Sequence, residues 1–97
     1  MFRHVVLYRL KQRKEEDKAE LKARFLSMQG QVPQIRQLEV GTDTLNSPRS
    51  FDVSLSILFD CKEDLAAYKA HPFHKSVSAY VHSVIADSVS CDYEVDL

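Results

Sequence analysis

Apolar and polar residues alternate with a period of two in four stretches of this chain. They recur at helical spacing in the stretches between, so the pattern predicts strands interleaved with helices. The first strand runs from Phe2 to Lys11, with Phe2, His4, Val6, Tyr8 and Leu10 on one face. Val5 and Leu7, flanked by Arg3 and Arg9, occupy the other. A strand apolar on both faces belongs at the centre of a sheet, or in a sheet covered on both sides.

The segment from Lys11 to Gln31 has no proline and many good helix formers, and Leu21, Phe25, Met28 and Val32 recur as one apolar stripe. The charged run ahead of them reads as the solvated side, and Gly30 and Pro33 supply the stop. A second strand follows over Gln37 to Leu45, with Leu38, Val40 and Thr42 on one face. After a turn at Asn46, Ser47, Pro48 and Arg49, a third strand alternates Phe51, Val53, Leu55, Ile57 and Phe59 with Asp52, Ser54, Ser56 and Asp60.

Asp60 and Glu63 have the spacing of a capping box that opens a short helix, carrying Leu65, Ala66 and Tyr68 inward. Pro72 biases His71 out of the helical region and breaks that helix. Another helix restarts with Val77, Tyr80, Val81 and Val84 on one face, and a final strand alternates Val89, Cys91, Tyr93 and Val95 with polar residues. The order β-α-β-β-α-α-β predicts one α+β, ferredoxin-like domain spanning residues 1–97, with helices on one sheet face. The other face has too few polar positions to be left in water, which points to a second copy of the chain packed on it as a homodimer.

Composition narrows the partners. Thirteen Lys and Arg against 14 Asp and Glu give a net charge of −1, with no basic block to hold a nucleic acid backbone. The apolar stretch at the N-terminus is short and interrupted by Arg3, His4 and Arg9, so neither a signal peptide nor a membrane span is expected, and the cytoplasm is the expected compartment. Cys61 and Cys91 are far apart in sequence and read as reduced thiols.

The densest group of titratable and aromatic residues is Tyr68-Lys69-Ala70-His71-Pro72-Phe73-His74, at the break between two helices. Tyr68 points toward the sheet, and the break at Pro72 swings His74 back toward it. A neutral imidazole accepts a proton, and a phenol donates a hydrogen bond to an oxygen gaining charge, a pairing suited to removing an acidic C–H proton beside a carbonyl. His4, on the first strand, faces the same region. The same spacing also suits a purely structural turn in which the imidazoles cap helix ends and Tyr68 is a core aromatic. A shared open space of about 300 Å³ beside His74 and Tyr68 would separate the two readings. His71 and His74 lack the helical alignment and the further ligands of a transition-metal site. A hard cation held by backbone carbonyls around Val32 to Leu38 would leave no side-chain signature.

The opening His4-Val5-Val6-Leu7, the strand from Phe51-Asp52 to Phe59-Asp60, the Tyr68 to His74 run and the closing Asp92-Tyr93 together resemble the stress-responsive A/B barrel domain (Dabb) family over nearly the whole chain. The resemblance implies a dimeric α/β barrel. Most members are small stress-associated proteins of unassigned activity, which implies a homodimer that binds a small molecule or has no catalysis. A catalytic member, the plant olivetolic acid cyclase, closes a poly-β-keto thioester without metal or organic cofactor. By that similarity His74 maps to the base, Tyr68 to the supporting phenol and oxyanion donor, and His4 to a ligand-binding pocket position; His71, in the same run, is a further candidate ligand-binding residue. The implied ligand is a small apolar or keto compound. Val53 stands where the cyclase has a second pocket histidine, which implies a more apolar cavity here.

Overall fold

The computed structural model describes residues 1–96. Its elements are β1 (Phe2–Leu10), α1 (Glu15–Leu26), β2 (Gln37–Thr42), β3 (Val53–Phe59), α2 (Glu63–Ala70), α3 (Pro72–Val84) and β4 (Ile85–Glu94). The strands form one antiparallel sheet in the order β2-β3-β1-β4. The α+β ferredoxin-like arrangement read from the sequence is the one observed. β1 is an inner strand, as its two apolar faces require.

The helix-covered face holds the core. Phe2, Val6 and Leu10 of β1, Val40 of β2, and Val53, Leu55, Ile57 and Phe59 of β3 pack against Leu21 and Phe25 of α1, Tyr68 of α2, and Val77 and Val81 of α3. Each large side chain buried here contributes about 1.5–3 kcal/mol. On the opposite face Leu7, Val89 and Tyr93 are exposed, at 36%, 48% and 42%. Leu7 lies opposite Val89 in the β1–β4 register, so these two apolar side chains adjoin, while Tyr93 stands farther along β4, opposite Arg3.

Four local expectations are corrected. α1 ends at Leu26, before Gly30; Met28 and Val32 are buried, but from a series of turns that follows the helix. Gly30 adopts φ of +83°, a conformation glycine enters at little cost. Lys18 is not solvated: it falls one turn before Leu21 on the buried stripe and is only 2% exposed. Its Nζ reaches the Asp43 carbonyl at 3.3 Å, Glu15 Oε1 at 3.3 Å and Asn46 Oδ1 at 3.4 Å, tying α1 to the β2–β3 loop.

Asp60 does not cap α2. Its carboxylate accepts from Arg36 Nε and Nη2, and the helix begins after Lys62 with no side-chain cap. The guanidinium outcompetes the amides because a forked, charge-assisted pair is the stronger interaction, and it holds the Asp60 carboxyl below its ordinary range. Finally, β4 starts at Ile85, directly after α3, because pairing of Leu10 with Ile85 and Tyr8 with Ser88 extends the ladder across an irregularity at Arg9/Leu10.

Candidate functional site

The four expected site residues start from three elements. His4 lies on the core face of β1, Tyr68 on the sheet-facing side of α2, and His71 and His74 on either side of the Pro72 start of α3. The structure brings three of them together. The Tyr68 ring is 4.3 Å from that of His74 and 6.1 Å from that of His4, measured between centroids. All three line one cavity of about 230 Å³, enclosed by Val6, Tyr8, Phe25, Val77 and Val81.

His71 is placed elsewhere. Its Nδ1 accepts the Phe73 amide N–H at 3.1 Å, so it caps the N-terminus of α3 and does not line the cavity. The contact observed for His71, expected at a ligand-binding position, is thus a helix cap outside the cavity that His4, Tyr68 and His74 line. Proline at N1 completes that helix start, since its missing N–H leaves one fewer amide to satisfy.

His74 and His4 are each anchored through Nδ1. At His74, Nδ1 donates to the Lys69 carbonyl at 3.1 Å, satisfying a backbone acceptor left free in the last turn of α2. At His4, Nδ1 donates to Asp92 Oδ1, its direct cross-strand partner. A carbonyl only accepts, so the neutral His74 ring carries its proton on Nδ1 and leaves the Nε2 lone pair for another donor, while His4 presents its Nδ1–H to the carboxylate. Burial, with the positive surroundings of His4, Lys69 and His71, holds the His74 pKa below that of a free imidazole. It is a neutral base at physiological pH.

Tyr68 is 2% exposed, stacked between His74 and the Phe59 ring at 5.4 Å. Burial raises its pKa above the ordinary phenol value, which keeps the O–H as a donor. No hydrogen bond links that hydroxyl to another described residue. A neutral base and a phenol donor thus share a mostly apolar cavity, the set needed to remove a proton beside a carbonyl and steady the resulting enolate.

The sequence reading passed over Tyr8, Asp92, Ser88 and Ser90. Tyr8 shares the His4 face of β1, so alternation alone places it on the side of the site. The other three depend on how β4 registers against β1. His82 is exposed and lines the cavity's edge. Val53 does not line the cavity; it pairs with Tyr8 and Thr42 and packs in the core, so it does not set the cavity's polarity.

Two wider hollows, about 360 and 370 Å³, lie on the uncovered sheet face. Several of their charged groups are already engaged: Asp52 by Leu10 N and Arg13, Arg3 by Ser56, and Arg36 by Asp60. Among the described residues no group of three or more His, Cys, Asp or Glu is placed to hold a metal ion. In the Val32 to Leu38 segment the Val32 and Pro33 carbonyls already accept from Ile35 N and Arg36 Nη1. No helix among the described residues is long and apolar enough to cross a membrane.

An antiparallel sheet with helices on one face and a partly apolar opposite face defines a ferredoxin-like α+β barrel subunit. The chain belongs to the stress responsive A/B barrel domain family, Dabb, whose model matches residues 2–95. No curated protein sequence matches it. Among solved structures, it is similar to a dimeric ferredoxin-like protein of unknown function from Bacteroides fragilis (24% identity, TM-score 0.81, covering 97% of this chain and 95% of that one). An Arabidopsis thaliana protein superposes with a TM-score of 0.85 at 21% identity, covering 100% and 97%. A hydroxynitrile lyase from Passiflora edulis does so with 0.81 at 19%, covering 98% and 93%.

Proposed function

We propose that this chain acts as a homodimer that binds a small carbonyl compound between α3 and the β1–β4 half of the sheet, and removes a proton beside the carbonyl without a cofactor. One observation carries the reading: His74 is fixed through Nδ1 on the Lys69 carbonyl, which leaves Nε2 basic beside an unpartnered Tyr68 hydroxyl. His74 is the base, Tyr68 the donor to the developing oxyanion, and the His4–Asp92 pair a second acid–base group in the same cavity. The dimer rests on the exposed Leu7, Val89 and Tyr93 of one sheet face and on the dimeric state of the Bacteroides fragilis neighbour. That a hydroxynitrile lyase shares the fold supports the fold's capacity to host an enzyme.

The cavity's size favours a second reading. At about 230 Å³ it lies below the roughly 300–1,000 Å³ of pockets that take drug-sized ligands, which suits a compact ligand held without turnover. Proton exchange separates the two. In D₂O with 2-heptanone, the wild-type protein should speed loss of the α-proton NMR signals over buffer, and His74→Ala should abolish the gain. Binding without any gain in exchange leaves only the second reading.

A further inference from the structure

The proposed site has a second phenol that the chemistry above does not use. Tyr8 lines the same cavity four residues along β1 from His4, about 13 Å at the usual strand rise. Its ring is fixed against Phe25, with centroids 5.1 Å apart and planes tilted by 35°, and Phe25 is itself 2% exposed. Tyr8 is half-buried, and its hydroxyl makes no hydrogen bond to another described residue. Across the ladder, Ser88 is the direct partner of Tyr8 and Ser90 of Val6. Both line the cavity, and their hydroxyls are likewise uncommitted. The wall away from His4 and Asp92 is therefore a row of hydroxyls on an otherwise apolar surface.

We infer that Tyr8 is a specificity-determining residue, donating to a second oxygen of the ligand, so that the site selects compounds with two oxygen functions over those with one. This rests on the cavity being the ligand site. Burial pushes the Tyr8 phenol up to about 12, so it is a donor throughout the physiological range. A hydrogen bond made there has no protein competitor to displace, and the ring's stacking on Phe25 holds the donor in place in advance.

The test uses the full chain and four seven-carbon probes: 2-heptanone and its 2,4-, 2,5- and 2,6-dione counterparts. Binding is followed by NMR shifts of cavity residues. The expected result is that at least one dione binds about tenfold more tightly than 2-heptanone, the worth of one hydrogen bond. Tyr8→Phe should erase that preference, bringing the affinity of the favoured dione down to that of 2-heptanone. Tyr8→Phe keeps the ring and its stacking, so an unchanged spectrum certifies the fold. The inference is overturned if no dione exceeds 2-heptanone, or if the preference survives Tyr8→Phe; in both cases binding of 2-heptanone leaves the proposed site standing. If none of the four probes shifts cavity residues, the site itself is overturned, and the inference with it.

Discussion

The imidazole of His4 and the carboxylate of Asp92 are direct partners across β1 and β4, joining residues 88 positions apart. His4 is only 7% exposed and the Asp92 side chain 32%, so removing the carboxylate leaves the Nδ1–H with only partial access to water. Asp92→Ala should therefore lower stability by about 1–3 kcal/mol, the usual cost of a buried donor left unsatisfied. Asp92→Asn, which still presents an acceptor oxygen, should lose much less. Urea unfolding of the two variants measures the difference.

His74 has its pKa lowered by burial, so the unfolded chain binds more protons than the folded one wherever pH lies between the two values. Its contribution to stability is complete above the free-imidazole value near 6.5 and declines as pH falls through that value, until the lowered pKa is passed. The same shift keeps the base unprotonated in mildly acidic solution. NMR titration of the His74 ring should give a midpoint below 6.5, and His74→Gln should flatten this part of the stability profile.

Asp52 is 1% exposed and accepts from Leu10 N at 2.8 Å and from Arg13 Nε at 3.0 Å. It anchors the end of β1 to the start of β3. Asp52→Ala strands the Leu10 amide and should cost about 2–3 kcal/mol. Arg13→Ala, at a side chain 43% exposed, should cost about 1 kcal/mol because the Leu10 bond survives. Thermal unfolding of both variants checks the order.

The pattern of residues carried the strands well, because period-two alternation is local and each buried face had to be apolar. The same logic located Tyr68 and His74, since Pro72 announces the chain break that brings them together. It missed groups whose role depends on distant pairing. Nothing near Asp92 identifies His4 as its partner, and nothing near Lys18 announces the Asp43 carbonyl that receives it. Local rules also yield where a stronger long-range partner competes, as when Arg36 takes the Asp60 carboxylate from α2.

On the proposed dimer, Leu7 and Val89 lie within the covered sheet face. Leu7→Glu places a charge there and should convert the protein to single chains with little change in the helical signal of the folded subunit. Analytical ultracentrifugation at micromolar concentration reads the outcome, and a wild-type mass of one chain removes the dimer from the proposal.

The β1–β4 ladder also sets when the cavity comes into being. During translation β1 emerges with neither of its neighbours available. At about 5–20 residues per second, on the order of ten seconds pass before Asp92 has been added. Throughout that interval His4 and Tyr8 ride on a nascent strand whose neighbouring wall is still unsynthesised. Until then the cavity lacks the wall that Ser88 and Ser90 supply, and His4 lacks its carboxylate partner.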